Sequence, residues 1–136
     1  MTYATRATLD NRYGPDTVTQ AAWRETGDAD AAIAAALAGT DTLIDGYLVA
    51  GDYALPLDPV PALLADIATD IAWYKLVRPP HDDGTITRYK DAVRQLEAIQ
   101  AGRIALQVSG APVDPSPAPA VVVEAAAKRF GDLGAW

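Results

Sequence analysis

Three prolines within six positions, at 56, 59 and 61, separate two stretches that both carry helical periodicity. Proline fixes φ, lacks an N–H and pushes the preceding residue toward extended backbone, so residues 53–61 cannot continue a helix. Upstream, Ile33, Leu37, Ile44, Tyr47 and Leu48 recur near the helical period, which predicts a helix from about 29 to 50 capped by Asp28 or Asp30 and stopped by Gly51. Downstream, Val60, Leu64, Ile67, Ile71 and Tyr74 share a stripe with Leu63 beside it, so a second long helix is expected to open at Asp58-Pro59 and stop before Pro79-Pro80. The apolar segment Ile44–Leu57 therefore reads as a helix end and a crossing, built to pack against protein.

Similar signals organise the rest. Thr5 can cap a short helix over Arg6–Tyr13, closed by Gly14-Pro15, while residues 16–27 are less regular, with Val18, Ala21, Ala22 and Trp23 forming a short helical turn that ends near Gly27. His81–Gly84 is a turn, and Thr85 or Asp83 caps a third long helix whose Ile86, Tyr89, Val93, Leu96 and Ile99 or Gln100 face inward before Gly102. Ile104, Leu106 and Val108 alternate with Arg, Ala and Gln, the pattern of a short strand over Arg103–Val108. Prolines 112, 115, 117 and 119 then mark an extended linker, after which Val121–Val123, Phe130, Leu133 and Trp136 restore large side chains. The expected fold is mainly α: a small bundle of three long helices with short N-terminal helices, one short C-terminal strand and an extended tail. The domain reading is a helical body over 1–108 and a Pro-rich linker with a docking tail over 109–136.

Composition narrows the chemistry. With no Cys and one His in 136 residues, neither a disulfide framework nor a zinc site of the usual type is available. The apolar runs fall well short of the roughly 18 residues of a membrane span, and no charged n-region precedes an apolar h-region, so the expectation is a soluble chain without membrane contact. Residues 1–70 carry three Arg against eleven Asp or Glu, a balance of −8, whereas residues 71–136 carry eight Lys or Arg against seven acids, a balance of +1. Such an acidic half does not grip DNA, which needs a basic stripe.

Asp28, Asp30, Asp41 and Asp45 are hard-oxygen groups, yet they lack the central Gly and closing Glu of a calcium loop, and Asp28 and Asp30 serve better as helix-starting charges. His81 lies beside Asp82 and Asp83, but without a nucleophile motif or phosphate loop it reads as an exposed loop residue rather than a base. Trp23, Trp73, Tyr47, Tyr74 and Tyr89 read as core or subunit contacts rather than base-stacking platforms. Neither a catalytic set nor a cofactor is expected.

Together these residues carry a resemblance. The opening Tyr3-Ala4-Thr5 with Leu9 and Tyr13-Gly14, the helix end Ile44-Asp45-Gly46-Tyr47-Leu48, and Tyr53-Ala54-Leu55-Pro56-Leu57 with Val60-Pro61 make its first part. Asp70-Ile71-Ala72-Trp73-Tyr74, Arg88-Tyr89, Ala92, Leu96, Ile99, Ala101-Gly102 and Arg129-Phe130 complete it. In these the chain resembles the phage Mu-type head-tail connector (adaptor) family of tailed phages.

The resemblance implies a non-enzymatic structural subunit that forms a homo-oligomeric, dodecameric ring beneath the portal protein. It would join the DNA-filled head to a stopper or tail-completion protein and leave a channel for double-stranded DNA. Its place would be the virion head–tail interface, reached from the host cytoplasm during assembly. Tyr47, Tyr53, Leu55, Pro56, Leu57, Arg129, Phe130, Leu133 and Trp136 are the expected subunit or partner contacts, and Asp28, Asp30, Asp41 and Asp45 the candidate channel-facing charges. The alternative is a small helical regulatory or toxin-neutralising binding module whose tail docks to one partner.

Overall fold

In a computed structural model the described residues are 2–24 and 27–106, and they form five helices and no strand. Helix α1 spans Arg6–Tyr13, and its N-terminus is a reciprocal box: Thr5 accepts the Thr8 N–H at 3.3 Å while the Thr8 hydroxyl accepts the Thr5 N–H at 3.2 Å. Gly14, at φ +92°, ends α1 and leads directly into α2, Pro15–Ala22. The short helical turn expected within 16–27 is thus a regular helix of eight residues that ends at Ala22, before Trp23, rather than near Gly27. Proline at a first helical position loses no hydrogen bond and is already at helical φ, so Gly14-Pro15 both stops one helix and starts another.

Helix α3, Ala29–Ala50, starts where Asp28 accepts the Ala31 N–H at 3.1 Å. Its C-terminus is a Schellman arrangement in which Tyr53 N–H bonds the Leu48 carbonyl at 2.9 Å and Asp52 N–H bonds Val49 at 3.1 Å. The left-handed position is Asp52, at φ 68°, and not Gly51. Gly51 serves close approach instead, since a Cβ there would lie 3.1 Å from the Gln100 Cα.

Helix α4, Ala62–Leu76, begins after the last proline of the crossing, with Pro61 as its extended N-cap (ψ 141°), and not at Asp58-Pro59 as expected. Val60 precedes a proline and is thereby kept out of the helical region, which delays the start. Helix α5, Asp83–Gln100, is preceded by Asp82, whose carboxylate accepts the Thr85 hydroxyl. A second Schellman motif ends α5: Gly102, at φ 82°, donates to Ile99, and Arg103 to Ala98 at 2.8 Å. Ile104 N–H bonds the same Ala98 carbonyl, so these donors cannot join a ladder and residues 103–106 form no strand. Gln107, Val108 and the linker and tail, with Arg129, Phe130, Leu133 and Trp136, lie outside the described residues.

Two apolar clusters fill the body, and α4 belongs to both. Tyr3, Ile44, Leu48, Tyr53, Leu57, Leu64, Ile67, Ile71, Leu96, Ile99 and Leu106 form the larger. Leu9, Val18, Ile33, Trp73 and Leu76 anchor the smaller, where Tyr13 stacks on Trp73 with centroids 4.1 Å apart. Buried Thr40 and Thr69 donate back to the Ala36 and Ala65 carbonyls at 2.8 and 2.7 Å, so neither hydroxyl is left unsatisfied. By length and mean hydropathy α3 would suffice to cross a bilayer, contrary to the reading of its apolar runs. Its Ile33, Ala36, Ile44 and Leu48 are nonetheless one wall of this core, and it carries Asp30, Asp41 and Asp45 along its length.

Candidate functional site

The conspicuous polar groups of the body are occupied in holding elements together. Tyr3 donates its backbone N–H to Asp41 at 3.1 Å and its hydroxyl to Asp45 at 2.5 Å, clamping the N-terminal segment to α3. Burial, followed by the hydrogen bond and charge of Asp45, pushes the Tyr3 phenol well above the ordinary tyrosine range. Burial also raises the Asp41 carboxyl, against the hydrogen bond from Tyr3. Arg12 reaches from α1 to Asp70 at 2.7 Å and Asp66 at 3.2 Å on α4; burial still raises Asp70 despite that cation. Arg24 donates to the Ala21 and Leu76 carbonyls, both at 2.9 Å, and so ties the C-terminal ends of α2 and α4 together. Nothing in the local sequence around Arg24 signals that role, because its acceptors are backbone groups brought together only by the fold.

The four candidate channel acids differ in their surroundings. Asp28 caps α3 and Asp30 pairs with Arg6 at 2.9 Å, both in solvent, while Asp41 and Asp45 are half-buried against Tyr3. The candidate contact residues divide in the same way. Tyr53 and Leu57 are buried in the chain's own core, and the Tyr53 hydroxyl accepts the Leu106 N–H at 3.5 Å. Tyr47 and Leu55 are half-buried against that core, and Pro56 is exposed.

His81 is half-buried rather than exposed. Its Nε2–H donates to the Tyr74 carbonyl at 3.0 Å in the last turn of α4, and its ring stacks on Tyr74, which stacks in turn on Tyr89 of α5. The three rings, with centroids 4.1 and 4.0 Å apart, lock the α4–α5 turn. Trp73 is core, whereas Trp23 is 60% exposed at the end of α2. Among the described residues no three His, Cys, Asp or Glu side chains cluster as a metal site would need.

What the body leaves open is apolar surface. Thr42, Leu43, Gly46, Tyr47 and Ala50 of α3 and Glu97, Gln100 and Ala101 near the end of α5 line two adjoining hollows of about 440 Å³ each, which share Tyr47 and Gln100. Val49, on the same side of α3, is 61% exposed. A third hollow of about 380 Å³ lies between Arg24, Lys75 and the small residues Ala32, Ala35, Ala36 and Gly39. Open apolar ground of this kind suits contact with protein more than the turnover of a small substrate.

Comparison with known proteins identifies the family. The family model described as Bacteriophage Mu, Gp36 matches residues 3–125, from the buried Tyr3 through the whole helical body. The chain is 36% identical over 109 residues to the Mu-like prophage FluMu protein gp36 of Haemophilus influenzae, covering 79% of this chain and 77% of that protein. It is 35% identical over 106 residues to Gene product J of Escherichia phage Mu, covering 76% and 74% respectively. With the clamp, the crossing and the helical body all inside the matched region, the chain belongs to the bacteriophage Mu Gp36 family.

Proposed function

We propose that this chain is a structural, non-enzymatic head-tail connector subunit of a phage or phage-like particle. Copies assemble as a ring beneath the portal, joining the head to stopper or tail-completion proteins around a channel for double-stranded DNA. The observation that carries this reading is the pairing of membership in a phage family with an apolar face left open beside α3 and α5. Tyr47, Leu55 and Pro56 remain contact residues for neighbours, while Tyr53 and Leu57 act indirectly, by fixing the crossing that presents them. Asp28 and Asp30 are the acids best placed to meet solvent in a channel, where like charge keeps DNA from adhering.

Co-expression with the portal protein of the same phage tests the reading. A ring seen by electron microscopy, bound to the portal, supports it; a chain that never associates with the portal and instead forms a stable one-to-one complex with an unrelated enzyme counts against it. Asp28→Lys with Asp30→Lys should slow DNA ejection, and an unchanged rate removes the charge argument.

A further inference from the structure

Helix α3 turns an uncharged face to solvent. Ala31, Ala35, Ala38, Thr42, Gly46 and Val49 recur at three- and four-residue spacing, so they share one side of the helix, and all six are exposed. A surface helix ordinarily sends charged or polar side chains to that side, whereas a helix that is apolar all round is one that something covers. Only 28% of the most apolar 18-residue stretch of α3 is buried by the rest of the body. The acids of α3 stand off this face, Asp41 and Asp45 against Tyr3 and Asp30 against Arg6. The hydroxyl of Thr42 donates back to the Ala38 carbonyl at 3.1 Å, so covering the face strands no donor there.

Charge at the margin says what covers it. The Lys75 stem lies over Gly39, where a Cβ would meet its Cδ at 3.7 Å and its Nζ at 3.9 Å, which fixes that cation at one level of α3. Exposed Glu97 borders Tyr47 and Ala50 on the same edge of the helix, about 12 Å further along at helical rise. Neither Lys75 nor Glu97 has an ion-pair partner among the described residues. A cation and an anion on one edge, either side of Thr42 and Leu43, become self-complementary about a two-fold axis through those residues. An antiparallel second copy then sets each Lys75 against the other copy's Glu97. We infer that free copies of this chain pair about that axis through the uncharged faces of their α3 helices.

Other occupants match less well. A helix lying in a bilayer surface uses large apolar side chains such as Trp, Phe and Leu, whereas alanines and a glycine let two helix backbones approach closely. An unlike protein would owe nothing to the placement of Lys75 relative to Glu97. From Ala31 to Val49 the face runs about 27 Å. One helix face of that length is a small footprint beside a permanent dimer's, so pairing depends on concentration and can yield to larger assemblies. The inference concerns the free chain and goes beyond the connector reading without resting on it.

Analytical ultracentrifugation of the full-length chain should show a dimer that grows with concentration. Thr42→Cys, in a chain with no native cysteine, should give a disulfide-linked homodimer on oxidation. Ala38→Glu should abolish both while leaving the helical circular dichroism intact. Lys75→Glu and Glu97→Lys should each weaken pairing about tenfold, and the chain carrying both should regain it. A chain that stays monomeric at every concentration, a dimer indifferent to Ala38→Glu, or a double variant no tighter than the single ones overturns the inference. So does a monomer that cosediments with phosphatidylcholine vesicles and loses them on Ala38→Glu.

Discussion

Tyr3 joins the N-terminal segment to the body through two acids of α3, and its hydroxyl is the more sensitive half of that clamp. Tyr3→Phe keeps the ring in the core but removes one hydrogen bond to a half-buried carboxylate, which should cost about 1–3 kcal/mol in urea unfolding. The acid beside it gives a pH signature. Burial raises the Asp41 carboxyl in the folded chain, so the fold binds that proton more tightly than the unfolded chain does. Its stabilising contribution is complete below the unfolded value and fades as pH rises through the folded one. Asp41→Asn should flatten this dependence: on going from neutral pH to about pH 4, wild type should gain stability relative to the variant. Equal pH profiles would remove the assignment. Neither role was legible in the residues themselves, since an aspartate on a helix reads as solvent-facing until Tyr3, some forty positions away in the chain, is brought onto it.

The two Schellman motifs show how each helix stops, and they separate what was readable from what was not. Thr5 and Asp28 were visible as caps because capping is local chemistry. The end of α3 was visible too, with Gly51 as its stop, but the left-handed backbone falls on the next residue, Asp52, while Gly51 makes room for Gln100. Asp52→Gly should therefore stabilise the chain by about 1 kcal/mol, having no left-handed penalty. Gly51→Ala should destabilise it by about 1–3 kcal/mol, because backbone 3.1 Å away cannot move aside cheaply. Chemical denaturation of both variants checks the pair, and similar effects of the two would contradict it. In the described part of the strand expected over Arg103–Val108, residues 103–106 are irregular for a related reason: alternation of Ile104 and Leu106 fits strand and irregular chain alike, and the capping bonds to Ala98 hold these residues out of a ladder. The start of α4 depended on weighing Val60 as a residue before proline, which its apolar stripe concealed.

Across the whole molecule, α3 and α4 each contribute to both clusters, so the body should unfold as one unit despite its two cores. Ile71→Ala, in the larger cluster, should lower stability by about 2–5 kcal/mol, and the loss should appear equally in the fluorescence of Trp73 in the smaller one. Separate transitions for the two would contradict that coupling. Helical class and packing residues were readable because burial imposes periodicity on them; the open α3–α5 groove was not, because a groove is defined by what two distant helices leave between them. The central claim is that this body, repeated around the portal, joins head to tail. Electron microscopy of particles produced with and without this chain tests it most directly. The account predicts DNA-filled heads and separate tails in its absence, with joining restored when the chain is supplied; normally tailed particles without it would contradict the account.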